Sequence, residues 1–228
     1  MTINRIGVVG LDSIGMWITH RLVGAGFHVT VTDRARERMG MMGDAGFKTA
    51  TLPADVAQDA DMVLMSVRGD RNVDDMLFDH GGVVETMPEG SYLLDTSTTS
   101  PQFSQAASER LAGFGLTRAE GCLIADPERA GVGNWCMLFG GSSGDLSALS
   151  EVIGVLATRV VHTGSVGTAS RLKAIHQELL DDGFSTAARG LAQALLSKPL
   201  EGTPVRTQHG LASAVCGPLA KSVVAART

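Results

Sequence analysis

Near its start the sequence reads Ile6-Gly7-Val8-Val9-Gly10-Leu11-Asp12-Ser13-Ile14-Gly15, an apolar run followed by a glycine-spaced turn. The apolar run predicts a buried strand, and the apolar spacing from Ser13 to Ala25 predicts a helix. A turn of this form, between a strand and a helix, is the position of the G-x-G-x-x-G fingerprint, which binds a dinucleotide pyrophosphate at the helix N-terminus. The expected cofactor contacts in this turn are Gly10, Leu11, Asp12, Ser13, Ile14 and Gly15.

Asp12 departs from the fingerprint, because a glycine usually occupies the middle position and lets the backbone approach the pyrophosphate. A carboxylate facing a phosphate would weaken binding by electrostatic repulsion. Alternatively, the side chain turns outward to solvent, or it caps the helix that begins at Ser13. The residues alone leave these alternatives open, including a turn that no longer binds a nucleotide.

The rest of the first 163 residues alternates between strand-like apolar runs and helical patterns. Strands are predicted at 29–32, 62–66, 92–95, 116–119, 136–139 and 160–162, and helices at 34–45, 71–78 and 101–112. This alternation predicts an α/β fold, a Rossmann-type doubly wound parallel sheet covered on both faces. A long interdomain helix is predicted from 165 to 197, then a loop at 201–207 and a last helix at 210–227. We therefore expect a sheet domain at 1–163 and a short all-α segment at 164–228.

Composition excludes several classes of function. The net charge of -5 argues against a nucleic-acid partner, which usually requires a basic surface. The sequence contains no apolar run of about 18 residues, so no membrane span is predicted. No signal peptide is expected at the N-terminus. The three cysteines lie far apart and form no metal-binding spacing. We expect a cytoplasmic protein with no metal site and no membrane partner.

Asp33 ends the second predicted strand, where an acidic side chain binds the ribose hydroxyls and would repel a 2′-phosphate. Arg34 argues in the other direction, because an arginine at this place accommodates the 2′-phosphate of NADP. The expected cofactor is therefore NAD or NADP, with NAD preferred. Arg36 and Arg38 are interpreted as part of a solvated helix face.

Three segments in order resemble the NAD(P)-dependent β-hydroxyacid dehydrogenase and imine reductase superfamily, which includes the 6-phosphogluconate dehydrogenase-like NAD(P)-binding domain. The run from Ile6 to Arg34 is similar to its G-L-G-x-M-G signature, and Asp95-Thr96-Ser97-Thr98-Thr99-Ser100-Pro101 to its D-x-S-T-x-x-P segment. Gly164-x-x-Gly167-x-Ala169-x-x-x-Lys173 resembles the segment that opens its interdomain helix. The resemblance covers residues 5 to roughly 180.

This resemblance implies roles for individual residues. Thr98 would border the nicotinamide, and Lys173 would be the catalytic lysine. Gln177 stands where hydroxyacid dehydrogenases commonly have a substrate-orienting asparagine. His176, three residues after Lys173, shares its helix face and is a candidate substrate contact. The residues at the end of the third predicted strand are further candidate cofactor contacts, namely Ser66, Val67 and Arg68.

The segment from Glu120 to Gly131 combines features of both branches of the superfamily. Hydroxyacid dehydrogenases usually have a D-x-P-V-S-G-G run here, whose serine and glycines hold a substrate carboxylate. This chain has Ile124-Ala125-Asp126 instead. Gly121, Pro127, Gly131 and Leu138 fit the spacing of imine reductases, although those enzymes usually lack the lysine. The candidate substrate contacts in this segment are Cys122 and Ile124.

Together these features predict an oxidoreductase that transfers a hydride between a nicotinamide cofactor and a small carbonyl, hydroxyacid or imine compound. The alternative is a catalytically degenerate Rossmann-type binding or accessory protein, which Asp12, Ile124 and the short helical segment after residue 163 favour. We also expect a homodimer, because the apolar side chains of that segment need cover. They are Leu172, Ile175, Leu179, Leu180, Leu191, Leu195 and Leu196.

Overall fold

The computed structural model describes residues 2–125 and 135–181. Within these ranges the strands are β1 (Arg5–Val9), β2 (His28–Thr32), β3 (Lys48–Thr49), β4 (Met62–Met65), β5 (Tyr92–Asp95), β6 (Thr117–Ala125), β7 (Trp135–Gly140) and β8 (Arg159–Gly164). The helices are α1 (Ser13–Gly24), α2 (Arg36–Asp44), α3 (Pro53–Ala57), α4 (Asp70–Phe78), α5 (Pro101–Ala112), α6 (Ser143–Ala148), α7 (Ser150–Leu156) and α8 (Thr168–Asp181), with a 3-10 turn at Val83–Glu85. The predicted helix beyond 181, the loop at 201–207 and the helix at 210–227 lie outside the described residues.

The strands form one sheet in the order β3-β2-β1-β4-β5-β6-β7-β8. The crossover between β3 and β4 confirms the predicted Rossmann-type fold. Two strands depart from a wholly parallel sheet, because β7 runs antiparallel to β6 and β8 runs parallel to β7. Only residues 126–134 connect β6 to β7, and so short a connection suits an antiparallel pair, whereas a parallel crossover needs a dozen or more residues.

Apolar residues cover both faces of this sheet, as the near-continuous hydrophobic strands predict. In β4, Met62 and Leu64 face one core, whereas Val63 and Met65 face the other. The first core also contains Ile18 of α1, and residues of α7 lie in it as well. The second core is closed by residues of α3, α4 and α5. The central strands are therefore buried on both sides, and their carboxyl ends meet at one edge.

Several short elements have no counterpart in the sequence prediction. The stretch between β7 and β8 forms α6 and α7, and Ser142 begins it with a capping box in which its side chain and that of Asp145 bond each other's backbone amides. The brief helix α3 was also not predicted. These helices have only five to seven residues each, which is too short for a clear 3.6-residue periodicity.

The sheet ends at Gly164, and α8 begins at Thr168. Leu172, one of the apolar residues that we expected to need a partner subunit, is buried within the subunit itself. The division into units at 1–163 and 164–228 stays a prediction. In the described part of the chain, no helix combines the length and apolarity that a membrane crossing requires.

Candidate cofactor site and active site

The structure brings the predicted cofactor residues together at the carboxyl edge of the sheet. The loops that follow β4 and β5 are joined there by backbone hydrogen bonds. Thr98 N donates to the carbonyl of Val67 at 3.1 Å, and Gly69 N donates to the carbonyl of Thr98 at 3.0 Å. The turn after β1 and Asp33 after β2 lie at the same edge. In doubly wound sheets, ligands bind outside this edge where the strand order reverses.

Two glycines of the β1–α1 turn are required by its geometry. Gly10 has φ +99°, and a Cβ there would overlap the carbonyl oxygen of Ser66 on the adjacent loop. A Cβ on Gly15 would overlap the carbonyl of Gly10. The turn therefore has the close backbone packing that the fingerprint implies at its first and third glycines.

Asp12 caps α1, which decides between the alternatives that the sequence left open. Its Oδ1 accepts hydrogen bonds from the backbone N–H groups of Ile14 at 3.1 Å and Gly15 at 3.0 Å. The Ser66 hydroxyl donates to the same oxygen at 3.1 Å, and Arg68 Nε lies 3.4 Å from Oδ2. Two of the N–H groups that could bind a phosphate are therefore already occupied.

The same turn still has donors available for a pyrophosphate. Among the described residues, the backbone N–H groups of Asp12 and Ser13 make no hydrogen bond. They stand at the positive end of the α1 dipole, where anions are favoured. The Arg68 side chain is 78% exposed and lies beside them. The turn therefore fits a dinucleotide, with the Asp12 carboxylate as a competitor for the helix N-terminus.

The protein itself holds the Asp33 carboxylate in place. Leu11 N donates to its Oδ2 at 2.6 Å, and Ala35 N donates to its Oδ1 at 2.7 Å. Arg38 Nη1 also contacts Oδ2, at 3.0 Å. Arg36 is exposed, as expected for a solvated helix face. The Arg38 side chain is 44% exposed on the same helix, and it also pairs with Asp33, a contact that was not predicted from the sequence.

A pocket lies between the turn, Asp33 and the loop after β4. Arg34 borders it while pairing with Asp75 at 3.3 Å. Acidic and basic side chains therefore share the place where the adenosine ribose of a dinucleotide would lie. The lining includes Gly10, Asp12, Asp33, Arg34, Arg38 and Arg68.

Helix α8 carries the predicted catalytic residues and packs against β6 and β7. Lys173 is half-buried on this helix. Burial raises the pKa of the Cys122 thiol on β6 to about 12, while the positive charge of Lys173 acts in the opposite direction. Lys173 therefore lies near the predicted substrate segment.

The other predicted substrate residues differ in their surroundings. Ile124 and Cys122 are buried in β6, and Gln177 is exposed on α8. His176 is half-buried, and burial lowers the pKa of its imidazole. The lowered pKa favours the neutral ring at neutral pH, so His176 is suited to hydrogen bonding with an uncharged group.

A buried polar network, which was not predicted from the sequence, lies beneath this site. Arg118 on β6 pairs with Asp95 at 2.5 Å, and both side chains are 1% exposed. Arg118 also donates to Ser104 of α5 at 2.7 Å, and the Ser104 hydroxyl donates to Glu120. One signal could have indicated it, since Arg118 and Glu120 are charged residues two positions apart in a strand and so share one face of the sheet.

Comparison with known proteins supports the resemblance. Residues 5–164 match the model of the NAD binding domain of 6-phosphogluconate dehydrogenase. The mitochondrial 3-hydroxyisobutyrate dehydrogenase of Homo sapiens is 26% identical over 175 residues, which are 77% of this chain and 52% of that protein. The chain thus spans about half the length of that relative.

Solved structures agree on the fold. The structure of 3-hydroxyisobutyrate dehydrogenase from Salmonella typhimurium has a TM-score of 0.71 and 25% identity, and the match covers 85% of this chain and 68% of that one. An imine reductase variant from Myxococcus stipitatus, in complex with NAD+, has a TM-score of 0.72 and 22% identity, and the match covers 99% of this chain and 75% of that one. The chain therefore belongs to the family of the NAD binding domain of 6-phosphogluconate dehydrogenase.

Proposed function

We propose that the protein is an NAD(P)-dependent oxidoreductase acting on a small carbonyl, hydroxyacid or imine compound. The observation that carries the proposal is the position of Lys173. It lies half-buried on α8 near β6, and α8 follows a sheet whose carboxyl edge fits a dinucleotide. A bound nicotinamide would supply or accept the hydride, and the protein would orient it and manage one proton.

Lys173 is proposed to hold that proton at its Nζ, next to the oxygen or nitrogen of the substrate. A positioned ammonium can donate a proton or polarise a carbonyl or imine group. Gln177 lies one helical turn further along α8, where it can help to orient the substrate. The neutral imidazole of His176 offers one donor and one acceptor for the same purpose.

The test of this proposal is the substitution Lys173→Ala. Turnover should fall by about 10²-fold or more, while the cofactor Kd stays nearly unchanged. Arg171→Ala is the matched control, because Arg171 is a cation on the same helix with an exposed side chain. Turnover that is equal in both variants would remove the assignment of Lys173.

The proposed substrate class rests on one residue of the β6 segment. Ile124 is buried and apolar where hydroxyacid dehydrogenases place a carboxylate-binding serine. An apolar side chain cannot compensate a substrate carboxylate for its lost hydration. We therefore propose turnover of an imine or neutral carbonyl compound in preference to 3-hydroxyisobutyrate, measured as kcat/KM for each.

NAD is proposed as the preferred cofactor. The Asp33 carboxylate is fixed by two backbone N–H groups and can accept hydrogen bonds from ribose hydroxyls. Arg38 offsets part of its charge, and Arg34 is the residue that would favour NADP. Steady-state kinetics with both cofactors tests this, and a preference for NADP above tenfold would contradict it.

The rival function, a binding or accessory protein without catalysis, is favoured by one observation. Asp12 occupies N–H groups at the helix N-terminus that a pyrophosphate could use. Thermal unfolding distinguishes the two, because a cofactor at a hundredfold excess over its Kd stabilises the fold by about 2.7 kcal/mol. Stabilisation without turnover on any substrate would favour the rival.

A homodimer through α8 and the residues that follow it also stays a proposal. Ile175 is only half-buried in the single subunit, which leaves apolar surface on α8 for a second copy. Sedimentation of a monomer at micromolar concentration would refute it.

A further inference from the structure

The buried carboxylate of Glu120 reaches from β6 to the beginning of α8. Its residue is 1% exposed. Gly140 is the partner of Glu120 on β7, and a Cβ at Gly140 would overlap Glu120 Oε2. The absence of a side chain at Gly140 therefore leaves the space through which the carboxylate passes.

At the start of α8 the carboxylate accepts four hydrogen bonds. Glu120 Oε2 accepts from the backbone N–H of Gly167 at 2.7 Å and of Ala169 at 3.2 Å. Its Oε1 accepts from the hydroxyls of Ser104 and Ser170. The first N–H groups of a helix have no partner within the helix, and a carboxylate there is favoured by the helix dipole. Glu120 thus fixes the first turn of α8.

The fixed turn lies directly before Lys173. Ala169 and Lys173 are four residues apart, so they lie one above the other on one face of the helix. Ser170, which donates its hydroxyl proton to Glu120, lies beside Cys122 of β6. A displacement of this turn would therefore move Lys173 relative to the predicted substrate segment.

The other end of the network reaches the cofactor loops. Asp95, the partner of Arg118, accepts a hydrogen bond from Ser97 N at 2.9 Å. The Ser97 hydroxyl accepts from Val67 N at 3.0 Å. Polar contacts therefore continue from the loops after β4 and β5, through Arg118, to α8.

We propose that Glu120 is a positioning residue, which holds the first turn of α8, and with it Lys173, against β6. The inference rests on the proposed function, because it assigns Lys173 the catalytic role. Glu120 itself is sealed beneath the site and acts through the α8 turn. A misplacement of a reacting group by about 1 Å can lower a rate by about 10²-fold, so a small shift of this turn has a measurable consequence.

Two matched variants test the proposal. Ser104→Ala and Ser170→Ala each remove one buried hydroxyl from the same oxygen of Glu120, but only Ser170 lies on the helix of Lys173. Ser104→Ala also removes an acceptor of Arg118, so it disturbs the buried network at least as much and is a stringent control. Ser170→Ala should lower kcat by roughly tenfold or more at unchanged cofactor Kd, and Ser104→Ala by less than about threefold. Equal losses of kcat would overturn the proposal, because the network would then only support the fold.

Glu120→Gln keeps the shape of the side chain and removes its charge. It should lower kcat at unchanged cofactor Kd, and wild-type kcat in a folded Glu120→Gln variant would also overturn the proposal. If this variant does not fold, Ser170→Ala still decides the question.

Amide hydrogen exchange provides a readout that needs no substrate. The backbone N–H groups from Gly167 to Lys173 should exchange faster in Ser170→Ala than in Ser104→Ala. Equal exchange would overturn the anchoring role. Faster exchange in a protein without turnover would instead refute the proposed oxidoreductase function and leave the anchor in place.

Discussion

Two carboxylates cap two helices in this protein, and their surroundings give them opposite consequences. Asp12 caps α1 at the cofactor edge, with a side chain that is 26% exposed. Glu120 caps α8 from beneath and is 1% exposed. Each accepts hydrogen bonds from two backbone N–H groups. We expect the exposed cap to compete with a ligand for a helix N-terminus, whereas the buried cap leaves no room for a ligand and should hold its helix in place.

The difference also sets the cost of removing each group. Water can replace the Asp12 carboxylate at the edge of the sheet, so little desolvation is left uncompensated. No water reaches the Glu120 network without rearrangement, and donors or charges left there lose their partners. The buried network should therefore control stability, and the exposed cap should control binding.

Arg118→Ala should give the largest effect. It leaves Asp95 buried without its charge partner, and breaking a buried pair from one side costs about 3–5 kcal/mol of unfolding free energy. Denaturant unfolding measures this loss. The control is Arg5→Ala, since the Arg5 side chain is 56% exposed in its pair with Asp61. That pair should contribute at most about 1 kcal/mol, and similar losses in both variants would contradict the comparison.

Asp12→Ala should have a smaller effect on stability. It removes the cap of α1, which typically costs about 1 kcal/mol. Denaturant unfolding compares this loss with that of Glu120→Ala, which should be larger. Glu120→Ala leaves two buried N–H groups and two hydroxyls without their acceptor. A loss for Asp12→Ala as large as that for Glu120→Ala would show that exposure does not separate the two caps.

The smallest effect concerns pH and His176. Burial lowers the pKa of its imidazole below 6.5, the ordinary value. Above that value the ring is neutral in the folded and the unfolded chain. As pH falls through it, the unfolded chain binds a proton that the folded chain binds less well, so the free energy of unfolding decreases. His176→Gln should reduce this loss between pH 7.5 and 5.5, and an unchanged pH dependence would contradict the assignment.

The local parts of the site could be predicted from the sequence. The turn from Gly10 to Gly15 and Asp33 after β2 depend on residues near one another in the chain, and a strand–turn–helix pattern is sufficient to predict them. The cap by Asp12 was also foreseen as an alternative, because its donors are two and three residues away. Short-range hydrogen bonding of this kind follows from helix geometry alone.

The rest depends on contacts that no local pattern encodes. Glu120 bonds N–H groups 47 and 49 residues away, and Arg118 pairs with a carboxylate 23 residues before it. The contact between Arg38 and Asp33 depends on the direction in which α2 leaves the sheet, and no local pattern specifies that direction. The reversed strand β7 depends on a connection whose length, not its hydrophobic pattern, decides the direction.

Calorimetric titration of the wild-type protein and of Asp12→Gly with NADH tests the central claim most directly. The claim is that the β1–α1 turn binds a nicotinamide dinucleotide and that the Asp12 carboxylate competes for its helix N-terminus. A carboxylate about 5 Å from a phosphate charge costs roughly 3 kcal/mol at an effective dielectric of 20. The account predicts that both proteins bind NADH and that Asp12→Gly binds at least about tenfold more tightly. Binding by neither protein, or weaker binding by Asp12→Gly, would contradict it.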